Sequence, residues 1–157
     1  MSDPSSAQAQ PQLLIETAKT LGVEFITEEV RSPENFAAAF DAFRAKGAEA
    51  IIMRSSPLLF GFRKDLCSLS MTHRLLSITQ NREQAEAGCV ISYGVKLSEM
   101  DGLAAEYTDK MLRGALPRET PAQQPASYEL IINQKSAKAL GIELPTSLLT
   151  EADEVIE

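Results

Sequence analysis

The stretch SYELIINQKSAKALGIELP, Ser127 to Pro145, reads as a strand, a tight turn, a short helix and a proline stop. It is a complete β-α unit near the end of the chain. Working back from it, ALPRETPAQQP (Ala115 to Pro125) is a proline-punctuated linker, preceded by a helix expected over about Leu97 to Leu112. Met100, Leu103, Ala104, Tyr107 and Met111 share one face of that helix. CVISYG, Cys89 to Gly94, is expected to be a strand.

Further upstream the same alternation repeats. A helix is predicted over about Leu13 to Leu21, closed by Gly22, and VEFITEEV (Val23 to Val30) is expected as a half-buried strand. Ser32-Pro33-Glu34 starts the next helix, with Ser32 as N-cap and Pro33 in the first turn, where its missing N–H costs nothing. Phe36, Phe40 and Phe43 line one side of it, and Gly47 ends it. A short apolar strand from Ala50 to Met53, a third helix over about Leu59 to Thr72, and a strand in RLLSIT follow. Helices alternating with short apolar strands indicate an α/β fold, a parallel sheet flanked by helices.

Composition narrows the function. The formal charge of −7 and the scattered Lys and Arg residues argue against nucleic acid as a partner. No apolar run approaches the roughly 20 residues that span a bilayer, so membrane insertion is not expected. Cys67 and Cys89 make neither a disulfide framework nor a zinc set; they are read as two free thiols in a core, with one bridge as the other arrangement. The first residues, MSDPSSAQAQ, form a polar tail without the basic start and apolar core of a secretory signal, which by itself predicts a cytoplasmic chain.

Catalytic constellations are thin. His73 is the only histidine, and Ser70 lies three residues before it, but no third orienting group is suggested, so a helix-terminal histidine is the reading. Glu83 and Glu86 are taken as a solvated face, and NQKSAKALG lacks the glycines of a phosphate loop. Neither an enzyme nor a cofactor is expected. In open parallel sheets, ligands sit beyond the carboxyl ends of the strands. That rule singles out three loops: Ser55-Ser56-Pro57, then Thr79 to Glu83, then Ser92-Tyr93. Within them Arg82 could grip a ligand carboxylate with its guanidinium fork.

VRSPENFAAAFDAF (Val30 to Phe43), EAGCVISYG (Glu86 to Gly94), YTDKMLRGALP (Tyr107 to Pro117) and QQPASYELIINQKSAKALGIELPTSLLTEADEVIE (Gln123 to Glu157) together resemble the ABC transporter substrate-binding protein family with the type I periplasmic-binding fold. The resemblance runs from about Gln12 to the end and covers only the second half of such a receptor. It implies a two-lobed extracytoplasmic protein that traps a small solute between lobes and presents it to an ABC permease. This chain would supply the C-terminal lobe with its first strand missing. Residues 1–10 are then a tail, 11–92 the lobe, 93–118 a hinge and a helix that would pack on the other lobe, and 119–157 the return strand and C-terminal helices.

The loops beyond the strand ends make Ser55, Ser56, Thr79, Asn81, Arg82, Glu83, Ser92 and Tyr93 the candidate ligand-binding residues, and of these Arg82, Glu83, Ser92 and Tyr93 match the family. Where the family usually carries an aspartate-proline loop and aromatic rings, this sequence has Ser56-Pro57, Thr79, Asn81 and Gln84, which favours a small polar or amino-acid-like solute over an aromatic one. The alternative is a protein-protein interaction or self-association module that uses an uncovered helix face or an open sheet edge.

Overall fold

The computed structural model describes residues 13–121, 123 and 127–157. Helix α1 covers 13–20. A 3-10 turn, Pro33–Asn35, runs into α2, Phe36–Ala45, with Pro33 in the first turn as expected; Ser32 precedes it in an extended conformation, and its side chain makes no capping hydrogen bond. Phe36 and Phe40, four residues apart, are buried on one helix face, and Phe43 packs partly buried beside them.

Strand β1 is Ala50–Ile52. The single helix predicted from Leu59 to Thr72 is two helices, α3 (Pro57–Gly61) and α4 (Arg63–Thr72). The first begins early because Ser56 Oγ accepts a hydrogen bond from the Leu59 N–H at 3.1 Å. Between them Phe62 departs from helical geometry, with φ −101° and ψ 24°, and its ring meets Phe36 edge-on at 5.7 Å. Strand β2 (Leu76–Thr79), helix α5 (Arg82–Glu86), strand β3 (Ile91–Val95) and helix α6 (Leu97–Leu112) follow, the last within its predicted bounds. None of the residues of α6 is buried.

A 3-10 turn, Pro117–Glu119, lies in the predicted linker; its residues 122, 124 and 125, and the predicted tail 1–10, lie outside the described residues. The unit around Ser127 to Pro145 appears as β4 (Tyr128–Asn133) and α7 (Gln134–Leu140). Asn133 joins them: its Oδ1 accepts from the Ser136 N–H at 2.9 Å and its Nδ2 donates to the Ala85 carbonyl at 2.9 Å. Gly141 then takes the left-handed cap conformation, φ 75°. Helix α8 (Thr146–Glu151) leads to β5 (Glu154–Ile156). The sequence reading placed only helices after β4, so β5 is a correction.

The five strands form one sheet in the order β1-β2-β3-β4-β5, parallel except for the antiparallel pair β3/β4. This is a mostly parallel α/β sheet with helices packed against it. One core group joins Phe36 and Phe40 of α2, Leu66 and Cys67 of α4, and Met53, Leu75 and Cys89 at the strand ends. A second joins Val90 to Ala137 and Leu140 of α7.

Two further expectations are corrected. Residues 23–30 form no strand. Their alternation is broken by the adjacent pairs Phe25-Ile26 and Glu28-Glu29, and without a neighbouring strand to hydrogen-bond, an extended segment does not become one. The segment is held instead through Glu28, whose carboxylate pairs with Lys46 at 2.6 Å, and through Val30, which packs on the first core group. Cys67 and Cys89 are not free thiols but a disulfide with Cα atoms 4.8 Å apart. Helix α4 lays Cys67 against the approach to β3, both residues are almost wholly buried, and their separation suits a bridge.

Candidate functional site

The parallel strands β1, β2 and β3 have their carboxyl ends at the same end of the sheet, and the segments that follow β1 and β2 meet there. The backbone N–H of Ser55, after β1, donates to Gln80 Oε1, after β2, at 3.1 Å. Gly94 of β3 lies so close to the same loop that a Cβ on it would stand 1.9 Å from the Gln80 carbonyl oxygen. Only a glycine allows this approach.

Beyond that contact opens a recess of about 350 Å³, bounded by the start of α5, the end of β3, the first turn of α6 and the start of β4. Its charged lining comprises Arg82, Glu83, Lys96, Asp101 and Glu129. Arg82 Nη2 donates to Glu129 Oε2 at 3.1 Å and its Nη1 to Glu154 Oε2 at 2.5 Å, with Glu86 at 3.8 Å. The hydrogen bond to Glu154, and then that to Glu129, push the guanidinium pKa still higher than its ordinary value. The fork that the sequence offered to a ligand carboxylate is thus occupied by the protein's own acids. Lys96 stands 3.8 Å from Glu99.

The candidate residues separate into groups. Arg82 and Glu83, expected in a loop, instead form the first turn of α5 and line the recess. Thr79 and Ser92 are register partners on adjacent strands, both buried; Thr79 Oγ1 donates to the Ile91 carbonyl at 3.0 Å, whereas Ser92 Oγ has no hydrogen-bond partner. Asn81 precedes α5, partly buried, without a side-chain capping bond. Ser55 is tied to Gln80 through its backbone, and Ser56 is used as the α3 cap. Tyr93 lies between Ser92 and Gly94, so strand alternation turns it to the opposite face, where it is 57% exposed and stacks on Tyr128 at 5.8 Å.

Sequence reasoning missed Lys96, Asp101 and Glu129. One signal was available: Glu129 is an acid inside an apolar strand, where an unpaired charge would be costly. Elsewhere, Ser70 Oγ donates to the Leu66 carbonyl at 2.8 Å, and His73 stands 3.8 Å from Asp41 and against the Phe40 ring. Those contacts serve the helix and the core. Among the described residues no group of three or more His, Cys, Asp or Glu side chains could hold a metal ion.

A family model described as ABC transporter substrate binding protein matches residues 2–156. A conserved domain protein from Vibrio cholerae O1 biovar El Tor superimposes with a TM-score of 0.86 at 19% identity, over 98% of this chain and 52% of that one. A Streptococcus pneumoniae structure described as an ABC domain in complex with L-Trp gives 0.84 at 22% identity, over 99% and 54%. A ligand-free, open substrate-binding protein with adhesive properties from Clostridium difficile gives 0.67 at 17% identity, over 99% and 52%. The chain therefore spans about half the length of the solved structures that it matches. A comparison with curated proteins finds no match.

Proposed function

Because the chain belongs to the ABC transporter substrate-binding protein family, we propose that it serves as a solute-binding half of an ABC-type uptake receptor and takes a small polar or amino-acid-like solute. The observation that carries this reading is the recess at the carboxyl ends of β2 and β3, where open α/β sheets place their ligands. Its charged lining favours a polar solute. The role is binding and delivery to a permease rather than turnover. One such lobe encloses only part of a ligand that binding sites normally bury by about 70–90%, so the affinity of this chain alone is low.

The reading is tested by thermal-shift and calorimetric screening of the chain against L-amino acids at millimolar concentration. Saturable stabilisation by one solute class, reduced by substitutions at the recess, supports it. No stabilisation by any of them overturns it.

A buried disulfide supports residence in an oxidising compartment outside the cytoplasm, in line with an uptake receptor and against the cytoplasmic placement expected from the polar first residues. No helix among the described residues is long and apolar enough to cross a membrane.

A second reading, self-association, is favoured by one observation. Strand β1 is one of the two edge strands of the sheet, and Ile52 on it is 49% exposed. Unpaired strand N–H and C=O groups on such an edge can pair with another copy of the chain.

A further inference from the structure

We propose that the apolar face of α6 is an interface, and that it docks antiparallel on α6 of a second copy of this chain. The inference goes beyond the solute-binding reading and does not depend on it, and its surface is separate from the β1 edge.

The central observation is a helix whose apolar stripe the rest of the fold leaves largely open. Met100, Leu103, Ala104, Tyr107 and Met111 share one face of α6, yet none of the helix's residues is buried and, among the described residues, neither core group takes one of them. Leu97, at the start of the same stripe, is 49% exposed. The larger side chains along it are only half-buried, and the Tyr107 hydroxyl is held by donating to the Pro121 carbonyl at 2.8 Å. A helix of 16 residues, about 24 Å long, is marginal in water without a packed face. The stripe therefore calls for a partner of matching length.

Charge points to what that partner is. Glu99 and Lys110 lie about three turns apart on the same flank of the stripe, one near each end of the helix. Antiparallel pairing about a two-fold axis sets Leu103 against the partner's Tyr107, Met100 near the partner's Met111 and Glu99 beside the partner's Lys110, and each contact occurs twice. Parallel pairing would set Glu99 against Glu99 and Lys110 against Lys110. On the other flank Asp101 meets the partner's Thr108, so no like charges face each other there. Glu106 is one turn from Lys110 of its own helix, which offsets its charge. The local contacts of the two paired groups are weak enough to be exchanged: Lys96 stands 3.8 Å from Glu99 with both side chains about half exposed, and Lys110 lies 5.7 Å from the Tyr107 ring centre, along the edge of the stripe. A seam of this length is at the small end of protein–protein interfaces, so the dimer is weak and reversible.

The test is analytical ultracentrifugation of the full chain from about 10 µM to about 1 mM, a range suited to a small interface. The expected result is mass rising reversibly from one copy towards two. Glu99→Lys and Lys110→Glu should each weaken association about threefold to tenfold, whereas the double variant, and an equimolar mixture of the two single variants, should regain it. Neither position is buried, so the core is not at risk in any of these variants. A chain that stays monomeric throughout overturns the proposal and leaves the face to an unlike partner. Association that ignores the charge variants but is abolished by Ile52→Lys overturns it in favour of the β1 edge. Weakening in the single variants with no recovery in the double variant overturns the antiparallel docking.

Discussion

Arg82 on α5 donates to Glu129 on β4 across 3.1 Å, linking the loop after β2 to a strand 47 residues later in the chain. With Glu154 on the same guanidinium, one side chain joins α5, β4 and β5 at the mouth of the recess.

Arg82→Ala is expected to lower stability by about 1 kcal/mol, because the guanidinium side chain is 36% exposed and the gain is screened by water and salt. It leaves Glu129, only 12% exposed, without its cation, and the shortfall should be larger at low ionic strength than at high. Urea denaturation at two salt concentrations measures both effects. Equal stabilities of the two proteins at low salt would refute the linking role.

The disulfide closes a loop with a sequence separation of 22, for which loop-closure entropy predicts a contribution of about 3 kcal/mol. The double variant Cys67→Ala, Cys89→Ala should lose about that much in denaturant titrations. Because both cysteines are buried, the native protein should show no reactive thiol until it is unfolded in the presence of reductant. Two titratable thiols in the unfolded, unreduced protein would contradict the bridge.

Gly94→Ala places a methyl group 1.9 Å from the Gln80 carbonyl oxygen, and backbone on both sides must yield. A loss of about 1–3 kcal/mol is expected. Gly102→Ala is the control: it sits inside α6 with nothing within 4 Å of the added carbon, and should stabilise the chain by about 0.5–1 kcal/mol through helix propensity. Chemical denaturation of the pair should give opposite signs.

If the β1 edge pairs with a second copy, light scattering will show mass rising with concentration. Ile52→Lys, a charge on the edge strand, should suppress that rise without lowering the melting temperature. A chain that is monomeric across the whole series removes the self-association reading.

The sequence by itself determined several elements whose signal is local. Phe36 and Phe40 at helical spacing predict α2, the apolar stripe through Met100, Leu103, Tyr107 and Met111 predicts α6 to its ends, and the residues from Tyr128 to Leu140 predict β4 and α7. The rule that ligands lie beyond the strand ends directs attention to the residues after β2, of which Arg82 and Glu83, the first residues of α5, line the recess.

What only the tertiary structure decided depends on partners far away in the chain. Residues 23–30 carry strand-like residues, yet a strand exists only through a neighbour's hydrogen bonds, and no ladder forms there. The short segment Glu154–Ile156 has little signal of its own and becomes β5 because β4 offers it a parallel edge, with Asp153 Oδ2 accepting from the Leu130 N–H at 2.8 Å. Cys67 and Cys89 form a bridge because the fold of α4 against the approach to β3 brings their Cα atoms within 4.8 Å, a distance that no spacing rule supplies. The same holds for Arg82. Its type suggested a grip on a ligand, but Glu129 and Glu154, brought up by β4 and β5, take its hydrogen bonds.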